Sequence, residues 1–92
     1  MSEVADDCRP TVAHGMRLQW EAVQEAHVLL YPEGMVKLNS SAGAIMSRCD
    51  GLRTLADIIV DLEQSYGQSG LAADVRAFVA MALEQRWLEL RA

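Results

Sequence analysis

The chain has 92 residues, of which 51% are apolar, and this size and composition predict one small globular domain with a single core. A formal net charge of −5, without any cluster of Lys or Arg, argues against nucleic acid as a partner. No apolar run approaches the roughly 18 residues of a membrane span, and two cysteines without metal-ligand or disulfide spacing fit a reducing compartment, so we expect a cytoplasmic protein that does not bind membranes.

The first 15 residues mix Asp, Arg, Pro, Thr and Gly without periodicity, and the sequence predicts a flexible N-terminal tail over 1–15. The ordered domain is predicted over 16–92, and three short strands come first. Apolar and polar residues alternate from Met16 to Trp20, which indicates the first strand. A turn made of Pro32, Glu33 and Gly34 separates the second strand from the third. The predicted strands are about 16–21, 27–31 and 35–38.

Helical patterns follow the strands. The predicted helices are about 40–50, 55–66 and 71–86. Asn39 is a candidate cap of the first helix, and Thr54 with Asp57 resembles a capping box at the start of the second. This order predicts an α+β, winged-helix-like domain in which a three-stranded antiparallel sheet is followed by a three-helix bundle. In a meander the third strand is an edge, and an open edge can accept an extended peptide as an added strand.

Several spaced motifs carry a resemblance to a known family. They are Gln19-Trp20-Glu21, Leu29-Leu30-Tyr31-Pro32-Glu33-Gly34, Leu38-Asn39, Cys49-Asp50-Gly51 with Thr54, and Trp87-Leu88. Their order and spacing resemble the PqqD family of pyrroloquinoline quinone (PQQ) biosynthesis, the prototype of the recognition elements that serve ribosomally made, modified peptides (RiPPs).

The resemblance implies a peptide chaperone, or adaptor, with a winged helix-turn-helix fold. Such a protein binds the PqqA precursor peptide and presents it to PqqE, a radical S-adenosylmethionine enzyme that cross-links a Glu and a Tyr within that peptide. The resemblance also implies that the iron–sulfur chemistry belongs to the partner. We therefore expect no enzymatic activity and no cofactor in this chain.

The resemblance also implies where the peptide lies, since related recognition domains bind it as an antiparallel strand along the third strand, in a groove closed by the third helix. On that helix a row beside the apolar stripe extends the apolar surface and carries a cation, and we interpret this row as the groove wall. The predicted peptide-binding residues are Met35, Val36, Lys37, Leu38, Ala72, Val75, Arg76, Val79 and Leu83.

Some of these residues have a second interpretation. Val79 and Leu83 fit the groove wall, but they fit a wider core stripe equally well. Arg76 or Lys37 can pair with an acidic side chain of the peptide, while an edge lysine also discourages aggregation. His14 and His27 have no carboxylate or cysteine at ligand spacing, so no metal site is expected.

An alternative function is a winged-helix DNA-binding regulator, because the order of elements alone does not separate the two classes. The third helical segment offers only Arg76 and Gln85 to bases and phosphates, which argues against that alternative. No nucleophile with a base and no phosphate loop is found, so the sequence also argues against an enzyme. We expect a monomer, with a domain-swapped homodimer possible through the short junctions at 32–34 and Asn39.

Overall fold

The computed structural model describes residues 4–91. Over this range the elements follow the order β1 (Arg9–Val12), β2 (Arg17–Glu21), β3 (Ala26–Tyr31), β4 (Gly34–Lys37), α1 (Ser40–Met46), α2 (Leu55–Tyr66), α3 (Ala72–Glu84) and β5 (Leu88–Arg91). The predicted α+β architecture is confirmed: an antiparallel meander precedes a cluster of helices.

The central sheet has the order β2-β3-β4, so β3 pairs on both sides and β4 lies at an edge. Leu18 is opposite Leu29, and Leu29 is opposite Val36. Because side chains alternate between the two faces of a strand, these three residues form one apolar row on one face. Leu29 is fully buried in the core while Leu18 and Val36 pack at its border, so this face of the sheet meets the helices.

The N-terminal region differs from the prediction of a flexible tail over 1–15. Strand β1 pairs antiparallel with β5, and Pro10 is opposite Leu90. The segment also accepts hydrogen bonds from the first residues of α2. The N–H of Leu55 donates to Cys8 O at 2.8 Å, and that of Ala56 donates to Asp6 O at 2.9 Å. First-turn N–H groups have no partner inside their own helix. Partners distant in sequence therefore hold this segment in place.

Both predicted helix caps are confirmed, because Asn39 accepts a bond from the N–H of Ala42 and Thr54 forms a capping box with Asp57. Helix α1 is shorter than the predicted 40–50. It ends at Met46, and Asp50 forms a bridge with Thr11 of β1 instead of continuing the helix. The pairing of this connection with β1 thus ends α1 early.

Helix α1 lies close against β3 at a glycine. A Cβ atom on Gly43 would stand 2.8 Å from Nδ1 and 3.3 Å from Cβ of His27. The His27 ring is itself held edge-on by Trp20, with ring centroids 5.1 Å apart and an interplanar angle of 67°. A side chain at position 43 therefore has no room unless His27 moves.

We expect Gly43→Ala to destabilise the domain by about 1–3 kcal/mol, since overpacking outweighs the gain in helix propensity. In a His27→Ala background the same substitution should cost less, because the ring is gone and only the Cβ atom of residue 27, at 3.3 Å, remains close. Urea denaturation of the four proteins of this double-mutant cycle measures the effect. A Gly43→Ala protein as stable as the parent would show that α1 does not depend on this close approach.

Candidate functional site

The free edge of β4 is the first feature of the candidate site. The N–H of Leu38 donates to His27 O at 3.0 Å in the same register that pairs Leu29 with Val36. Hydrogen-bonded and non-hydrogen-bonded pairs alternate along an antiparallel ladder. The backbone groups of Val36 and Leu38 therefore face β3, whereas those of Met35 and Lys37 point away from the sheet. No strand within residues 4–91 pairs with this edge.

A groove lies between β4 and α3, with α1 forming its floor. Its cavity volume is about 360 Å³. Its lining is mostly apolar and consists of Val36, Lys37, Leu38, Asn39, Ser41, Ala42, Ile45, Asp74, Phe78, Met81 and Trp87. We call this cavity the β4 groove. An apolar groove beside a free strand edge is the arrangement that binds an extended peptide through its backbone and alternate side chains.

Helix α3 has three faces with different neighbours. Its core face carries the buried residues Val75, Val79 and Ala82. Its groove face carries Asp74, Phe78 and Met81. Its third face carries Ala72, Arg76 and Leu83. At about 100° per residue the groove face and the third face are centred about 170° apart, so they lie on opposite sides of the helix.

The predicted strand residues lie where a peptide would be expected. Val36, Lys37 and Leu38 line the β4 groove. Met35 lies on the free edge with 56% of its surface exposed, and its side chain alternates with Val36 onto the outer face of the sheet. This part of the predicted site is therefore contiguous in the structure.

The predicted helix residues lie elsewhere. Val75 and Val79 belong to the core, at 3% and 0% exposure, which settles the choice between groove and core for Val79. Ala72 and Leu83 pack against the core cluster from the third face, and Leu83 borders a depression beside Met16 and Leu88. The β4 groove therefore does not include the flank that the helical wheel selected, because the opposite flank of α3 faces β4.

Arg76 is also absent from the β4 groove. Its Nη2 donates to both carboxylate oxygens of Asp6 at 2.8 and 2.9 Å, and its Nε donates to Oδ1 at 3.0 Å. The pair is bidentate and roughly half exposed, so it contributes at most about 1 kcal/mol. Arg76 thus helps to hold the N-terminal segment on α3.

Sequence reasoning missed the groove residues Asp74, Phe78 and Met81. Phe78 packs against the core and also lines the β4 groove. Met81 is 37% exposed, whereas the residues on the core face of the same helix are buried. Large apolar side chains on a second flank were the available signal, although the wheel did not show which flank faces β4.

The charges of the groove are Lys37 on β4 and Asp74 on α3. Neither takes part in a salt bridge with another residue of the described range. Side chains alternate along a strand, so Lys37 shares the outer face of β4 with Met35. A bound segment therefore meets the anion Asp74 inside the groove and the cation Lys37 at the outer edge of the strand.

Three titratable groups outside the groove have shifted pKa values. Burial raises the pKa of the Cys49 thiol to about 12, and burial, followed by the charge of Asp7, raises the pKa of Cys8. Backbone N–H groups of Arg53 and Leu52 lower the pKa of Asp50, which marks it as a turn residue. Within residues 4–91 no three His, Cys, Asp or Glu side chains come together as a metal site. No helix in that range is long and apolar enough to cross a membrane.

Comparison with known proteins identifies a matching family and several relatives. A family model described as coenzyme PQQ synthesis protein D (PqqD) matches residues 26–88. The PqqA binding protein of Stutzerimonas stutzeri is 47% identical over 92 residues, which cover 99% of this chain and 100% of that protein. The PqqA binding protein of Azotobacter vinelandii is 47% identical over 91 residues, or 98% of this chain and 99% of its own.

A solved structure is similar as well. It is the solution NMR structure of the PqqD truncation of Methylobacterium extorquens PqqCD, described as a functional and stand-alone RiPP recognition element. The TM-score is 0.70 at 31% sequence identity, and the match covers 94% of each chain. With the family model matched from β3 into β5 and relatives aligned over nearly their whole length, the chain belongs to the PqqD family.

Proposed function

We propose that the chain binds a PqqA-like precursor peptide as an added strand on β4 and presents it to a PqqE-like radical S-adenosylmethionine enzyme. The observation that carries the proposal is the free edge of β4 beside an apolar groove. Relatives named PqqA binding protein and the similar recognition-element structure support it.

Backbone pairing is the first component of binding. Met35 and Lys37 each have an N–H and a C=O directed away from β3, as the register requires. An antiparallel peptide strand would form a hydrogen-bonded pair with each of these residues. Each bond contributes roughly 0.5–1.5 kcal/mol after the loss of its bonds to water. The ladder therefore fixes the direction and register of the peptide without reading its side chains.

Side chains of the peptide supply the second component. Residues directly opposite each other in an antiparallel pair place their side chains on the same face. Peptide residues opposite Val36 and Leu38 therefore point into the β4 groove, where Phe78 and Met81 stand on the other side. The groove thus selects an extended segment with apolar residues at alternate positions.

Charge is the third component. Asp74 lies on the helix side of the groove, and the Lys37 side chain lies on the outer face of β4. A cationic peptide residue near Asp74 and an anionic one near Lys37 would each gain only about 0.2–1 kcal/mol at such exposed positions. These pairs therefore favour one register over its neighbours more than they raise affinity.

DNA binding is not supported by the structure. Arg76 is the basic residue of α3, and its guanidinium is bound to Asp6. The flank of α3 beside β4 carries Asp74, which would repel phosphates. In the proposed function all bond-making chemistry belongs to the partner enzyme, and this chain uses no cofactor.

We place the chain in the cytoplasm as a functional monomer. Cys8 and Cys49 are both free, which fits a reducing compartment. The junctions at 32–34 and Asn39 are short, so at high concentration they can serve as hinges for exchange of the sheet between two copies.

The proposal is tested by titrating isotope-labelled protein with a PqqA-like precursor peptide. Amide resonances of 35–38 and of Asp74, Phe78 and Met81 should shift. Hydrogen exchange should slow at Met35 and Lys37, whose N–H groups gain partners, and change little at Val36, which already pairs with Leu29. Shifts that spared both β4 and the groove face of α3 would refute strand addition at this site.

A proline at the edge separates peptide binding from folding. Met35→Pro removes a donor that points out of the sheet, so the fold should persist while peptide affinity falls roughly fivefold to tenfold. Val36→Pro removes a bond to β3 and should destabilise the sheet, and Met35→Ala should retain affinity. Thermal melts and calorimetric titration measure both properties.

Presentation to the enzyme is tested with the same variants. At peptide concentrations below saturation, turnover by a PqqE-like enzyme should fall with Met35→Pro and stay unchanged with Met35→Ala. Equal turnover with both variants would show that the β4 edge does not deliver the peptide.

Substitutions on α3 test which flank forms the groove wall. Met81→Gln should lower peptide affinity roughly fivefold, the effect of about 1 kcal/mol of lost apolar contact. Leu52→Gln is the matched control, because Leu52 is 74% exposed and lies outside the groove. Arg76→Ala should leave affinity unchanged and lower stability by less than about 1 kcal/mol. A loss of affinity with Arg76→Ala but not with Met81→Gln would show that the peptide binds the third face of α3.

A further inference from the structure

A second cavity lies at the end of the β4 groove, where the N-termini of α1 and α3 meet the C-terminus of α2. Its volume is about 320 Å³. Its lining residues outside the β4 groove are Ser40, Leu62, Tyr66, Gln68, Leu71 and Val75. Ser41, Ile45 and Asp74 line both cavities. The two are therefore continuous, and a chain lying in one can enter the other.

The second cavity has an apolar floor and a polar rim. Ile45, Leu62 and Val75 form the floor, at 7%, 2% and 3% exposure. The lining also includes Ser40, Tyr66 and Gln68, which are exposed and carry polar groups. The volume lies at the lower end of small-molecule sites and is enough for one large side chain.

The walls of this cavity are held by hydrogen bonds. The N–H of Leu71 donates to Glu63 Oε2 at 3.0 Å, which ties the start of α3 to α2. The N–H of Ala42 donates to Asn39 Oδ1 at 2.7 Å, which fixes the start of α1. A cavity formed before binding requires little reorganisation when it is filled.

The direction of β4 determines which part of a peptide reaches this cavity. Strand β4 runs from Gly34 to Lys37, and Ser40 and Ser41 follow it in the chain. The cavity thus lies beyond the C-terminal end of β4. An antiparallel peptide runs the opposite way, so its residues beyond Lys37 are those that precede the paired segment. Since an extended chain spans about 3.3–3.6 Å per residue, about two to four peptide residues suffice to cover the distance from Lys37 to Ser41.

We propose that the second cavity binds one large apolar side chain of the precursor peptide, located about two to four residues before the segment paired with β4. This inference rests on the proposed function. Asp74 stands where the two cavities join, so a cationic residue fits between the apolar residue and the paired segment. Recognition then extends past the sheet and adds specificity for the N-terminal flank of the bound segment.

The test uses methyl-labelled protein and two synthetic PqqA-like peptides, one of full length and one lacking the residues that precede the paired segment. Leu62 and Val75 report on the second cavity, whereas Val36 and Met81 report on the β4 groove. The full-length peptide should shift both sets of methyl resonances, and the truncated peptide should shift only Val36 and Met81. Truncation should weaken binding at least about tenfold, the factor expected for one large apolar side chain.

A filled-cavity variant gives an independent measurement. In Ser40→Trp the indole should occupy the cavity, so the full-length and truncated peptides should bind with equal affinity. Ser47→Trp, at the other end of α1, should preserve the difference between the peptides. Circular dichroism checks that both variants fold.

The outcomes separate the inference from the proposed function. If Val36 and Met81 shift with the full-length peptide while Leu62 and Val75 do not, the second cavity is not a peptide subsite although strand addition stands. If neither set of methyl groups responds to the peptide, strand addition fails and the subsite fails with it.

Discussion

The rotation of α3 about its own axis is the constraint on which the candidate site depends. Val75, Val79 and Ala82 are almost completely buried, and burial of apolar surface, at about 25 cal/mol per Å², is the dominant favourable term in folding. Once these three residues are buried in the core, the directions of the other two faces of α3 are fixed. Phe78 and Met81 must face β4, and Arg76 must face the opposite side. The groove is thus a consequence of core packing.

The N-terminal segment occupies the flank that the groove does not use. Asp6 binds Arg76 there, and Asp6 and Cys8 also accept the first N–H groups of α2. The exposed ion pair is weak, but the carbonyl groups satisfy donors that a helix start leaves open. Pairing of β1 with β5 holds the same segment on a second side. This packing covers part of the third face of α3, which an isolated helical wheel would treat as fully available for a ligand.

Local signals predicted most of the fold. The strands of the meander, the cap at Asn39 and the capping box at Thr54 depend on residues close in sequence, and the structure confirms them. Strand β1 could not be found in this way, since its four residues do not alternate and its partner strand is β5. In the candidate site, the β4 residues could be predicted from the order of the strands in the sheet. The α3 residues could not be predicted, because both flanks of α3 carry apolar residues and only tertiary packing distinguishes Leu83 from Met81.

In the proposed complex, the short free edge limits what backbone pairing can contribute to affinity. Only Met35 and Lys37 direct backbone groups outward from β4, and their N–H and C=O bonds each contribute roughly 0.5–1.5 kcal/mol. Ordering each residue of an extended peptide costs about 1–2 kcal/mol. The ladder therefore does little more than offset the entropy of the residues that it aligns. In the proposed complex net affinity must therefore come from apolar side chains that enter cavities beside the strand, so the sequence of the peptide, and not merely its extended shape, would determine whether it binds.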